Sequence, residues 1–159
     1  GETFYLQGRA LRLKVIRASK EQLYSDGVHL FLEVKDPQDF SKKERMVMRF
    51  FDRQCKEVFG EIVEELYPVF QKYGVAVPSL RIRSMDTRWG SCLPGKGVIT
   101  LNKRLLEAPR NCIEYVVMHE LCHFIHPNHS KHFYAFLSML MPDWKERKKV
   151  LDANDTYYL

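Results

Sequence analysis

The sequence predicts an α+β fold, with helices and an antiparallel-rich sheet segregated along the chain rather than alternating. Three observations carry that expectation. Residues 9–18, RALRLKVIRA, alternate apolar and basic side chains at the strand period of two. Residues 41–73 place apolar side chains at helical intervals over about nine turns. A second β-rich region, 80–102, then precedes three further helical stretches.

The elements follow in order. In the first strand Leu11, Leu13 and Val15 face one way and Arg12, Lys14 and Ile16 the other, so it reads as half-buried. SDG at 25–27 is a turn, and VHLFLEV after it is a second strand and hairpin partner. His29 in that strand reads as structural or surface. Residues 1–40 are thus expected to form an N-terminal β-hairpin. The chain opens on Gly1 rather than Met, as a fragment or processed form would; GETFYLQG is read as native.

DPQDFSKKE signals a loop and helix start, with Ser41 and Glu44 at capping-box spacing. The helix to residue 73 should bury Met48, Phe51, Cys55, Ile62 and Leu66, with Gly60 and Pro68 as places for a kink or break. YGVAVP closes it. LRIRSM (80–85) and GVITLN (97–102) read as strands, and the LPGKG turn makes them a hairpin. Helices are expected from about Asn111 to Ile125, from Ser130 to Leu140, and over PDWKERKKVLDA. With no repeat or linker, residues 1–159 read as one domain, of which 78–159 is the chemical part.

The composition narrows the function classes. Hydrophobic residues make up 45% and charged residues 28% of 159 residues, enough for one packed core. IEYVVM is cut off by His119 and Glu120, so no apolar run approaches a membrane-spanning helix and no membrane partner is expected. The net charge is +5, but basic and acidic residues are interleaved, so the surface reads as solvated. Any nucleic-acid binding should be weak and salt-sensitive. Cys55, Cys92, Cys112 and Cys122 form no C-x-x-C pair, which points to reduced thiols and a cytoplasmic setting.

The chemistry concentrates in HELCHFIHPNHSKHF, residues 119–133, which holds five of the six histidines. Residues four apart share one helix face, so the imidazoles of His119 and His123 can converge on one ion. Glu120, one residue on from the first, suits a general base leaning over a metal-activated water. The bland alternative is a polar helix face with two hydrogen-bonded histidines. Three features oppose it: the helix is apolar at Ile113, Val116, Val117 and Leu121, more histidines follow at once, and Pro127 stops the helix. Pro127 also biases His126 out of the α region, making it the weakest further candidate and aiming it at solvent. Ser130 is a good N-cap for the next helix. The turn between can return Asn128, His129 or His132, and spacing leaves His129 and His132 as competitors for a third ligand.

RWGSC has a structural reading: Trp89 as core anchor, Gly90 for a tight turn, Cys92 as a small buried hydrophobe. Its functional reading puts Arg88 or Ser91 near the metal, against a developing oxyanion or a phosphate. Cys122 reads as a buried inert thiol. Tyr115, one turn before His119, reads as core or as a neighbour of the site.

RWGSC, a strand ending in L-N, Y-V-V-x-H-E-L-x-H and N-H-S-x-x-F together resemble the YgjP-like metal-dependent hydrolase family, and more distantly the SprT-like and WLM metallopeptidases. The likeness is strong over residues 80–152 and looser before them. It implies a minimal zincin-like fold, a small twisted sheet on helices with the metal helix below an edge strand. It also implies that His129 is the third ligand, that His132 sits at a variable position, and that members are longer at the N-terminus.

The resulting expectation is a zinc-dependent hydrolase, a metallopeptidase with one Zn2+ per chain. His119, His123 and His129 would hold the ion, Glu120 would be the base, and Arg88 a candidate for substrate or oxyanion binding. A peptide or protein substrate would pair with the GVITLN strand. Two alternatives remain: a nucleotide phosphohydrolase drawing on Arg81, Arg83 and Arg88, or a non-catalytic nucleic-acid- or protein-binding module with a structural metal.

Overall fold

The computed structural model describes residues 1–153 and Leu159; residues 154–158, inside the expected 78–159 part, lie outside the described residues. The first half runs β1 (Thr3–Leu6), β2 (Arg9–Arg17), β3 (Gln22–Ser25), β4 (His29–Val34) and α1 (Phe40–Gln71). The second runs β5 (Ser79–Arg83), β6 (Gly90–Leu93), β7 (Val98–Asn102), α2 (Arg110–Cys122), α3 (Lys131–Leu140) and α4 (Trp144–Asp152). Two sheets result, with strand orders β1-β2-β4-β3 and β5-β7-β6.

In the first sheet the strands are where the alternation put them, but the pairing differs. β2 and β4 are parallel, not a hairpin. The SDG turn instead joins β4 to β3, a four-residue strand that alternation does not reveal. Asp26 builds that turn by accepting hydrogen bonds from the backbone N–H groups of Val28 (2.9 Å) and His29 (2.6 Å). Central β4 carries the burial through Leu30, Leu32 and Val34, while Val15 on β2 is exposed. GETFYLQG supplies β1, which turns back to β2 through Gln7 and Gly8 at φ 49° and 82°. The N–H groups of Gln7 and Gly8 donate to Leu106 and Glu107, tying this hairpin to a 3-10 segment, Lys103–Glu107, next to the second sheet.

α1 starts two residues earlier than the capping-box spacing suggested. Asp39 is the N-cap and its carboxylate accepts from the Lys42 N–H at 3.1 Å, so Ser41 falls inside the first turn. The helix continues through Gly60 and Pro68. Pro68 lies three residues from the end, where it costs one hydrogen bond against the burial of Phe59, Ile62, Val63 and Phe70. Met48 is exposed, because the buried face starts at Phe50 instead.

The second sheet repeats the surprise. β5 and β7 are parallel, and LPGKG joins β6 to β7. The turn is a 3-10 turn, Pro94–Lys96, closed by Gly97 at φ 66°. GSC is therefore strand, not turn. Gly90 is there for close approach: a Cβ on it would meet Leu101, the Thr100 carbonyl and Val116, each at 3.2 Å. Trp89 is buried as a core anchor, while Cys92 is only half-buried. β7 is paired on both sides, so GVITLN has no free edge for a substrate; the edge beside α2 belongs to β6.

Asn102 closes β7 and explains the strand ending in L-N. It is 2% exposed. Its Nδ2 donates to the carbonyls of Met85 (3.1 Å) and Arg88 (2.8 Å), and its Oδ1 accepts from the Arg104 N–H (3.1 Å). The segment carrying Arg88 is thereby held against the sheet. Asn102→Leu keeps the branched shape but strands these groups, at about 1–3 kcal/mol for a buried unsatisfied partner. The urea midpoint should fall accordingly with an unchanged m-value. An unchanged midpoint would show that Asn102 does not hold this segment.

Candidate metal centre

From Tyr115 to His123 every residue of α2 and its C-cap is buried. The cause is packing on several sides: α1, β6, α3 and α4 all contact this helix. His119, Glu120 and His123 are therefore held in the core at 3%, 1% and 8% exposure. Helical spacing does the rest, bringing the two imidazole centroids to 5.0 Å.

The helix ends at Cys122, three residues short of the expected Ile125. Its last turn tightens, with the N–H groups of His123, Phe124 and Ile125 bonding three residues back. Pro127 then diverts the chain. Ser130 caps α3 as its sequence position suggested, its Oγ accepting from the Phe133 N–H at 3.3 Å. The turn between returns His129, whose ring lies 5.0 Å from His119 and 4.7 Å from His123. One ring nitrogen from each of the three histidines lies within 4.8 Å of the others. No fourth His, Cys, Asp or Glu joins this group among the described residues.

The other two histidines fall outside it. His132 is exposed on α3. His126 does not aim at solvent as expected: it is half-buried, with its ring 5.5 Å from Phe136. Its contribution is its main-chain carbonyl, 3.1 Å from His123 Nδ1. With the proton on Nδ1, that bond fixes the tautomer and leaves Nε2 as a free lone pair. Phe133 is the residue whose role the spacing did not disclose. Fully buried, it stacks on His123 at 4.6 Å and meets His119 and His129 edge-on at 4.9 and 5.1 Å. The N-H-S-x-x-F pattern contained the signal, since Ser130 caps the very N–H of Phe133.

Two buried polar atoms here lack hydrogen-bond partners: His119 Nδ1 and Glu120 Oε2. They lie 3.3 Å apart without the geometry of a bond. Stranded ionisable groups in an apolar core are costly. Together with three converging imidazoles, they fit a site for a divalent cation. Burial, and then the neighbouring imidazoles for His129, hold the His123 and His129 rings below the usual histidine pKa. Both stay neutral at neutral pH, as ligation requires.

Glu120, His123 and His129 open onto a cavity of about 210 Å³ that Arg88 and Ser91 also line. Arg88 is exposed there, and its charge adds to the depression of the His129 pKa. Arg81 and Arg83 lie on β5, the opposite edge of the sheet. Tyr115 is buried, edge-on to His119 at 6.1 Å, and burial pushes its phenol up.

A three-stranded sheet over a buried helix, with its paired histidines joined by one from the next turn, is the architecture of the zincin-like metallopeptidases. Within that class the chain belongs to the YgjP-like family, whose metallopeptidase domain matches residues 1–154. That membership makes it a metal-dependent peptidase. Among solved structures, the metallopeptidase zymogen abylysin of Pyrococcus abyssi is similar, at 20% identity and TM-score 0.53, covering 63% of this chain and 99% of that one. The metallopeptidase zymogen jannalysin of Methanocaldococcus jannaschii aligns at 22% identity and TM-score 0.48, covering 57% of this chain and 83% of that one. No curated protein sequence matches the chain. No described helix is long and apolar enough to cross a membrane.

Cys92 lines the cavity that Glu120, His123 and His129 open onto, while Cys55 and Cys112 lie away from it. Burial pushes the Cys55 thiol up to about 11 and those of Cys92 and Cys122 to about 12. At pH 8 a thiol reagent should label neither of the buried thiols, Cys55 and Cys122, in the folded protein and both of them in denaturant. A raised thiol pKa favours the folded state below the unfolded value and loses that contribution above it. Stability should therefore fall as pH rises from about 9 through 11. Rapid native-state labelling at pH 8 would contradict the burial assigned to these thiols.

Proposed function

We propose that the protein is a zinc peptidase with one ion per chain, held by His119, His123 and His129, and with Glu120 as general base. The carrying observation is the convergence of three imidazoles beside a buried carboxylate whose Oε2 has no hydrogen-bond partner. Three neutral nitrogen donors with no fourth protein ligand among the described residues suit a catalytic rather than a structural zinc site. Zinc bound there would supply a Lewis acid and lower the pKa of a water towards about 7. Glu120 takes the proton of the attacking water and returns it to the leaving nitrogen. Phe133 and the His126 carbonyl keep the imidazoles oriented. Arg88, at the cavity mouth, binds a substrate carboxylate or developing negative charge.

The substrate backbone pairs with the free edge of β6, since β7 is filled on both sides. The phosphohydrolase alternative loses support, because only Arg88 of its three arginines lines the cavity. Free cysteines at all four positions fit a reducing, cytoplasmic setting.

Purified protein should hold about one zinc per chain by elemental analysis after mild dialysis. His129→Ala should weaken zinc binding at least 10–100-fold, the scale of losing even an outer partner. His126→Ala and His132→Ala should keep it, the first because only its main-chain carbonyl is used. Zinc lost from His132→Ala but not from His129→Ala would overturn the ligand set. Glu120→Gln should keep zinc while peptide turnover drops by about 10²-fold or more. Loss of zinc in that variant would make Glu120 a ligand instead.

A further inference from the structure

Basic and acidic residues interleave along most of the chain, but not in the second sheet. Residues 79–104 carry six basic side chains against one carboxylate, Asp86, an excess equal to the chain's whole net charge of +5. Lys103 is matched by Asp52 at 3.1 Å and Arg104 by Glu107 at 3.4 Å. Arg81, Arg83, Arg88 and Lys96 are exposed, and none has a carboxylate partner among the described residues. With no counter-charge beside them, they set up a positive field on one side of the sheet.

Strand geometry fixes where that field lies. Leu80 and Ile82 of β5 pack against the main core, so alternation turns Arg81 and Arg83 onto the sheet's outer face. Arg83 pairs in register with Asn102 of β7. Asn102 Nδ2 donates to the Arg88 carbonyl at 2.8 Å, and Arg88 lines the cavity with Glu120 and His123. The three arginines thus form a band from the β5 edge to the mouth of the metal site. Its length is roughly 10–15 Å, two to three strand spacings, which an extended chain crosses in roughly three to five residues.

We propose that the Arg81–Arg83–Arg88 band is a docking face for an acidic segment of the substrate, so that the peptidase favours chains with a run of Asp or Glu roughly three to five residues from the scissile bond. The proposal rests on the peptidase reading above and names its substrate class. The cleaved residues lie along β6, and the acidic run crosses the outer face towards β5. Guanidinium groups suit this partner, because each can take a carboxylate through two parallel N–H donors. A nucleic-acid strand fits less well. Strands β5, β6 and β7 contain no Phe, Tyr or Trp, so its bases would find no ring to stack on.

The test uses zinc-loaded protein and labelled peptides that share one cleavable core and carry a Glu, Gln or Lys triplet on either flank. On one flank, Glu should raise kcat/KM about 10-fold or more over Gln at low ionic strength, and Lys should lower it. The gain should shrink as salt nears about 1 M, where the screening length is about 3 Å. Arg81 and Arg83 are exposed and neither lines the metal cavity, so the Arg81→Glu, Arg83→Glu double variant should fold and cleave Gln peptides as before. It should reverse the Glu-over-Gln preference. Equal cleavage of Glu and Gln peptides on both flanks, or a ratio unmoved by the double variant, overturns the docking face and leaves the peptidase reading standing. A single-stranded oligonucleotide that binds the band more tightly than the Glu peptide at about 200 mM salt also overturns it, in favour of nucleic acid. If the zinc protein cleaves no peptide, the peptidase reading falls, and peptide binding to zinc-loaded Glu120→Gln decides the docking face. Tighter binding of Glu than Gln peptides there supports it, and equal affinity overturns it.

Discussion

The rest of the structure answers to one constraint: a helix buried from Tyr115 to His123 carries three ionisable side chains in its final turn. Ile113, Val116, Val117 and Leu121 are fully buried. Each contributes about 1.5–3 kcal/mol by leaving water. Together they outweigh the two stranded atoms of His119 and Glu120, at about 1–3 kcal/mol each. A buried helix cannot wobble, so the imidazoles meet with little freedom left to lose. The neighbours are shaped around it. Gly90 lets β6 lie against Val116, Asn102 pins the segment with Arg88, the turn before α3 returns His129, and α3 sets Phe133 against all three rings.

The two sheets share a plan that sequence patterning did not expose. In each, a first strand is followed by a short strand on the far edge. A tight turn then brings the third strand back between them, parallel to the first. β2, β3 and β4 do this in the first sheet, and β5, β6 and β7 in the second. The turn signals SDG and LPGKG are real hairpin turns, but each joins the second and third strands. The missed strands, QLYS and GSCL, are four residues long, too short for alternation to register. Parallel pairing is a tertiary outcome, set by what the connections can span and bury.

The site was more legible than the sheets because its signals are local. The four-residue spacing of His119 and His123, the break at Pro127 and the cap at Ser130 each act within a turn of helix. They narrowed the third imidazole to His129 or His132, and the N-H-S resemblance then favoured His129. Long-range features were not legible. No spacing shows that the His126 carbonyl holds His123, that Phe133 packs against all three imidazoles, or that Trp144 on a later element stacks on both Tyr115 and Tyr134. His126 was misread for a physical reason: Pro127 does divert its backbone, but the ring then packs on Phe136 rather than entering water.

The account stands on a three-imidazole centre that leaves one position open. X-ray absorption spectroscopy of the zinc-loaded protein tests that most directly. The expected first coordination shell is three imidazole nitrogens at about 2.0–2.1 Å with one further light atom. A sulfur scatterer at about 2.3 Å, or a fourth imidazole, would close the site and contradict it.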